Sequence, residues 1–125
     1  MKCYLILIIL SVIQYTMDPT LVICGTIQSK MILLFHHFVS IYIYIGGFLF
    51  NPQYHLLFIV SVMLHWYLNH NRCELTVVTN RECGIDERIQ FHDFLKALHI
   101  SRIYPNIHWV ILPILAMIDI YRLSR

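Results

Sequence analysis

Long uncharged runs alternate with one polar region along the chain, and this pattern predicts its elements. Residues 31–50 carry no charged side chain, and residues 53–68 form a second uncharged run after a turn at Asn51 and Pro52. Twenty helical residues rise about 30 Å, which is the thickness of the hydrocarbon core of a bilayer. Because the connection is so short, we expect two antiparallel helices that span a membrane.

A third apolar run, residues 103–123, predicts a further span. Pro113 lies in its middle and is expected to kink the helix, because proline removes one backbone hydrogen bond. Asp119 lies near its end. The ordinary interpretation is an ion pair with Arg122 one turn later, and the alternative is a buried functional carboxylate.

The N-terminal segment, residues 1–30, has two interpretations. Lys2 followed by an apolar run has the outline of a signal peptide, but no small-x-small cleavage site follows. Residues 3–17 are instead compatible with a helix that ends at Asp18 and Pro19. The favoured interpretation is an uncleaved anchor helix. It is followed along the chain by a membrane domain that covers residues 31–125.

The polar region, residues 69–102, divides into two parts. Residues 69–84 are rich in Asn, Arg, Thr and Glu and predict an ordered loop. Apolar residues at 85, 89, 94, 95 and 98 have helical spacing and predict an amphipathic helix that lies on the membrane surface. The alternative is a helix packed on the loop. The predicted fold is therefore all-α, an integral membrane bundle of three to four transmembrane helices with one interfacial amphipathic helix.

Composition agrees with a lipid environment. The hydrophobic fraction is 58% and the charged fraction 13%, whereas soluble domains carry about 25% charged residues. A net charge of +2 without a basic cluster argues against nucleic acid as a partner. The expected partners are the lipid bilayer and either further copies of the chain or a larger membrane protein.

Charge and cysteine usage bear on orientation. If residues 31–50 and 53–68 cross the membrane in opposite directions, six basic residues share the side of the polar region: Lys30, Arg72, Arg81, Arg88, Lys96 and Arg102. The positive-inside bias then predicts that residues 69–102 are cytosolic. A first segment inserted with Lys2 inside would reverse this orientation. Cys73 and Cys83 would form a disulfide in an oxidising compartment and remain free thiols in the cytosol.

Histidines are the main candidates for chemistry, because several are predicted to lie at one depth. In a hairpin that turns at Pro52, His36 and His37 lie level with His65, and His108 enters at the same membrane face. Imidazoles at matched depth would suit a haem or a metal, and the ordinary alternative is interfacial hydrogen bonding. No catalytic motif is present, so we predict a non-enzymatic protein without a cofactor or bound metal.

A polar cluster ends the second span and carries a resemblance. Its residues are Asn69, Arg72, Cys73, Glu74 and Thr76, within a run that extends from His65. This exit, together with His36-His37-Phe38 and Gly46-Gly47, resembles small uncharacterised multi-span membrane proteins of large DNA viruses and algae. A looser likeness exists to a bacterial membrane domain of unknown function with C-P-L-T after a span, although Glu74 replaces that proline.

The resemblance covers roughly residues 31–123, and it implies a multi-span membrane protein without supplying an activity. The predicted function is a structural or accessory membrane component. The alternative is a haem- or metal-binding redox or transport protein that uses His36 or His37 together with His65 and His108.

Overall fold

A computed structural model describes residues 2–125, with the side chain of Arg102 left out. The protein is 75% helical, and residues 2–125 contain no β-strand. The prediction of an all-α fold is therefore confirmed.

Four long helices and four short ones follow one another along the described part of the chain. They are α1 (Lys2–Met17), α2 (Thr20–Ile23), α3 (Ile27–Leu49), α4 (Pro52–Leu68), α5 (Glu74–Glu82), α6 (Phe94–Ala97), α7 (Ile100–Ile103) and α8 (His108–Leu123).

The ends of α3 and α4 follow from local chemistry. The Thr26 hydroxyl accepts the backbone N–H of Ser29, and the Ser29 side chain accepts that of Thr26, so two amides that the helix cannot pair are satisfied at the start of α3. The Asn51 side chain accepts the N–H of Gln53, and Pro52 stands at the first position of α4, where its missing N–H costs nothing.

Helix α3 lies at the centre of the bundle. Helix α1 runs antiparallel beside it, and the ring of Tyr4 lies 4.9 Å from that of Phe50. Helix α4 returns along α3, and α8 packs mainly on α4 and also touches α3. Ile43, Ile59 and Leu112 form the apolar contact among α3, α4 and α8.

The bundle has two distinct ends. The hairpin end contains the turn at Asn51 and the C-terminus of α8. The polar end contains the connections between α1 and α3 and between α4 and α8, which include α2, α5, α6 and α7.

Length and hydropathy single out one helix. Among residues 2–125, only α3 is both long and apolar enough to cross a membrane by these two measures, and α1 is a shorter apolar helix. The protein is thus helical with one candidate membrane-spanning helix near its N-terminus. The predicted bundle of three to four spans is not supported by these measures.

Both predictions about the polar region require correction. Residues 74–82, predicted as loop, form α5. Residues 85–100, predicted as one amphipathic helix, contain an irregular segment followed by α6 and the start of α7. The Asn80 side-chain amide donates to the carbonyls of Asp86 and Ile89, which uses backbone groups that a helix would need, and Asp93 caps a new helix by accepting the N–H of Lys96.

The sequence predicted either a disulfide between Cys73 and Cys83 or free thiols at both positions, and neither prediction was correct. Cys83 forms a disulfide with Cys24, and Cys73 is free. Helix α5 packs on α3, so its last turn brings Cys83 to the residues just before α3. The half-buried Tyr15 and Phe91 pack around this bond together with Leu33.

We expect the disulfide to contribute substantially to stability, because it joins residues 59 positions apart. Closing a loop of this length removes about 4 kcal/mol of unfolded-state entropy in the chain-entropy account. Cys83→Ser should therefore lower the melting temperature strongly and abolish the mobility difference between reduced and non-reduced gels. Cys73→Ser is the matched control and should leave both measurements unchanged; equal melting of the two variants would contradict the assignment.

Candidate functional site

Burial in this bundle is inverted relative to a water-soluble protein. Among the described residues, thirteen polar or charged residues are buried and only nine hydrophobic ones. The buried polar set is Ser11, Gln14, Asp18, Ser29, His36, His37, Ser40, His55, Thr79, Asn80, Asp93, Ser101 and Asp119. Buried polar groups require partners, and the pairs that these residues form are the chemical features of the interior.

The shortest buried pair joins α4 to α8. His55 Nδ1 lies 2.6 Å from Asp119 Oδ2, and both side chains are 1% exposed. His55 Nε2 lies 3.1 Å from the carbonyl oxygen of Tyr42 and 3.0 Å from that of Ile43, both on α3. One imidazole therefore connects three helices near the hairpin end.

The partners of His55 determine the number of protons in this site. Nε2 faces two carbonyl oxygens, which only accept, so Nε2 carries a hydrogen. The short contact between Nδ1 and Asp119 requires one more proton between the two groups. The pair therefore holds two protons and has no net charge, which suits a fully buried site because a single buried charge is costly.

Gly47 makes room for this pair. A Cβ atom at Gly47 would collide with the Asp119 carboxylate and would lie 2.6 Å from His55 Nδ1. Gly46 also lies against the His55 ring, where a Cβ atom would approach within 2.8 Å of that ring. The Gly-Gly step of α3 thus leaves room for a polar side-chain pair.

A second buried pair joins the polar end of α1 to α3. His37 Nε2 lies 2.8 Å from Asp18 Oδ2, and both side chains are fully buried. Asp18 Oδ1 accepts the backbone N–H of Thr20 at 2.8 Å. Burial raises the pKa of Asp18, but the hydrogen bonds from His37 and Thr20 outweigh it and hold that pKa below its ordinary value.

A third polar group lies between α3 and the start of α8. The Tyr44 hydroxyl donates to Asp93 Oδ2 at 2.8 Å and lies 3.1 Å from His108 Nδ1. His108 Nε2 lies 3.5 Å from the same Asp93 oxygen. The three side chains connect the segment that precedes α6 to both long helices.

This group forms part of the wall of a cavity of about 460 Å³ at the polar end. His36, His65 and His108, three of the four predicted candidate histidines, line the cavity, whereas His37 faces Asp18 instead. Each of the three has a protein partner. The ring of His36 stacks on Phe91 at 3.5 Å, and its Nδ1 lies 3.3 Å from the Thr79 hydroxyl.

The predicted polar cluster lies beside this cavity. The Asn69 side chain donates to the carbonyl of Arg72 and to Glu74, and the N–H of Glu74 donates to His65 Nε2 at 3.2 Å. These bonds close the end of α4 and start α5. Arg72, Cys73 and Thr76 of the cluster line the cavity.

The side-chain arrangement bears on the haem or metal alternative. Within residues 2–125, with the Arg102 side chain outside the description, no three or more His, Cys, Asp or Glu side chains are grouped to hold a metal ion. His36, His65 and His108 surround one cavity without converging on one point.

Comparison with known proteins adds no relative. No protein-family model, curated protein or solved structure matches this chain. The resemblance to viral and algal membrane proteins therefore stays a prediction.

Two important residues were missed or misinterpreted from the sequence. Asp119 was paired with Arg122, but the structure pairs it with His55, so that ordinary interpretation was wrong. His55 was not selected because it follows the hairpin turn, far from the other histidines in depth. An available signal for both was a charged or titratable residue in each of two apolar runs, since such residues are expected to find each other.

We expect loss of either member of the His55–Asp119 pair to destabilise the protein. His55→Ala and Asp119→Ala should each lower the free energy of unfolding by about 3–5 kcal/mol, because the remaining partner stays buried without compensation. The double variant should lower the free energy of unfolding by much less than the sum of the two single effects. Unfolding in detergent, followed by circular dichroism, would measure the free energy of unfolding of each variant.

His70→Ala is the control for this cycle, because His70 is exposed in the turn after α4. It should leave stability within about 0.5 kcal/mol of the parent protein. Strictly additive effects of the two single substitutions would show that His55 and Asp119 do not act as a pair.

Proposed function

We propose that this chain is a small non-enzymatic integral membrane protein, with α1, α3, α4 and α8 all in the bilayer, that serves as a structural or accessory membrane component. The observation that carries the proposal is the inverted burial. Polar side chains pair inside the bundle, and large apolar side chains cover its outside.

The outer surface of α1 illustrates this argument. Leu5, Ile6, Ile8, Ile9 and Val12 are all exposed, at 43–58% of their full area, and Tyr4, Leu10 and Ile13, which are also exposed, extend this apolar surface around most of the helix. Soluble monomers rarely expose contiguous apolar patches larger than a few hundred Å². Lipid around the helix removes this difficulty, because hydrocarbon does not penalise apolar side chains.

Helix length is compatible with the proposal. Helices α1 and α8 have 16 residues and α4 has 17, which gives about 24–26 Å at 1.5 Å per residue. Spans begin at about 17 residues, and shorter ones are accommodated by local thinning of the bilayer. Trp66 and Trp109 at the polar end are the residue type that anchors spans at the interface.

Membrane extraction tests this proposal. We expect the expressed chain to stay in the membrane pellet through alkaline carbonate and high salt, and to enter solution only with detergent. The same preparation should show the helical spectrum and the disulfide. A folded monomer in the detergent-free supernatant at neutral pH would overturn the proposal.

The orientation that we propose differs from the charge-based prediction. The Cys24–Cys83 disulfide lies at the polar end, and disulfides persist in oxidising compartments. We therefore propose that residues 69–102 face the non-cytosolic side and that Lys2 lies in the cytosol. The positive-inside bias is a statistical tendency, whereas this covalent bond requires oxidation.

Thiol labelling with a membrane-impermeant maleimide tests the orientation. In a Cys3→Ser background, Cys73 should react from the non-cytosolic side, because it is the remaining free cysteine there. A second variant, Asn51→Cys with Cys73→Ser, should react only after the membrane is opened. Labelling of both positions from one side would contradict the crossing of α3 and α4.

The haem or metal alternative has weaker support. His36, His65 and His108 line one cavity, but His36 and His65 are hydrogen-bonded to α5 and His108 contacts Tyr44. Purification without a Soret band and without stoichiometric metal would leave the accessory role as the better account.

A further inference from the structure

The cavity at the polar end has two chemically different parts. Its inner wall contains the apolar side chains of Val39, Ile43 and Val62, together with the ring of Trp66. Most of its exposed lining residues are polar or charged, including Arg72 and Arg88, and the exposed apolar ones are Ile89 and Pro105. A volume of about 460 Å³ lies in the range of about 300–1,000 Å³ that is typical of small-molecule sites.

The acidic side chains in the wall are already engaged by the protein. Glu87 accepts a hydrogen bond from Arg81 at 2.8 Å, a contact that raises the pKa of Arg81. Asp93 accepts from the Tyr44 hydroxyl and from the N–H of Lys96. Both carboxylates therefore have partners that compete with any bound cation.

The two arginines in the wall are not engaged in this way. Within the described side chains, neither Arg72 nor Arg88 has a carboxylate oxygen within 4.0 Å. A guanidinium group binds carboxylate or phosphate through paired hydrogen bonds. A positively charged rim and an apolar interior favour a ligand that has an anionic group at one end and an apolar part at the other.

We propose that this cavity binds an anionic amphiphile, with a carboxylate or phosphate head on Arg72 and Arg88 and an apolar chain against Val39, Ile43 and Val62. His65 lies on the same wall, and because its Nε2 accepts the N–H of Glu74, its Nδ1 carries the hydrogen of the neutral ring and can donate it to the head. Such a molecule would bind whether or not all four long helices cross a bilayer, because the cavity belongs to the fold itself.

The chain has an internal probe for this site. It contains two tryptophans, Trp66 and Trp109, and both line the cavity. A dibrominated stearate quenches indole fluorescence on contact. Titrated into the full chain in nanodiscs of zwitterionic lipid, it should quench saturably and more strongly than a brominated lysophosphatidylcholine of the same chain length.

Two variants separate head recognition from simple partitioning. Arg72→Gln with Arg88→Gln should weaken stearate binding at least tenfold and bring it to the level of the zwitterionic probe. Lys30→Gln is the matched control, because Lys30 lies at the same end, is exposed, does not line the cavity and pairs with none of the carboxylates in its wall. Stearate binding by this variant should equal that of the parent protein.

Three results would overturn the proposal. Quenching that is the same for all three proteins and both probes would indicate partitioning into the disc. Tighter binding of the zwitterionic probe would show that head charge is not recognised. Displacement of the stearate by millimolar inorganic phosphate, with no gain in affinity from the acyl chain of the stearate, would indicate a site for simple anions only.

Discussion

The rest of the fold depends on the polar side chains that α3 buries. An unpaired polar group in an interior without water costs more free energy than most single contacts supply. Three polar side chains of α3 each meet a partner from a different element: His37 meets Asp18 before α2, His36 meets Thr79 of α5, and Tyr44 meets Asp93 before α6. The carbonyls of Tyr42 and Ile43 add His55 of α4 in the same way. One helix thus specifies where its neighbours lie.

This pairing explains how a small bundle with few buried apolar residues has a defined arrangement. In the lipid environment that we propose, apolar contacts between helices are interchangeable, since the hydrocarbon around them is equally apolar. Hydrogen bonds have direction and fixed partners, so they distinguish the observed packing from rotated or shifted alternatives. The Cys24–Cys83 disulfide adds a covalent constraint at the polar end, where the connecting segments are longest and the ordering entropy is greatest.

The long helices were predictable because their signals are local. The uncharged runs, the Asn51-Pro52 turn and the break at Asp18-Pro19 each act within a few residues, and they place α1, α3 and α4 close to their observed bounds. The residues 85–100 were misjudged because apolar spacing alone cannot show that Asn80, from another helix, binds the carbonyls of Asp86 and Ile89.

Part of the site could be anticipated from depth. The hairpin geometry placed His36, His65 and His108 at one level, and they do surround one cavity. The same geometry could not tell which way His37 faces, because adjacent residues on a helix point about 100° apart and the partner, Asp18, lies beyond a turn. The pairing of Cys24 with Cys83 likewise depends on how α5 packs on α3, a long-range contact that no local pattern encodes.

The absence of a side chain at Gly47 has a consequence for how this protein can change over evolutionary time. Any larger residue at this position would occupy space that the His55 ring and the Asp119 carboxylate now fill. Drift at one of the three positions therefore selects for compensating change at the other two. Among descendants of this sequence, residues 47, 55 and 119 should vary together or not at all, even though they belong to three separate helices.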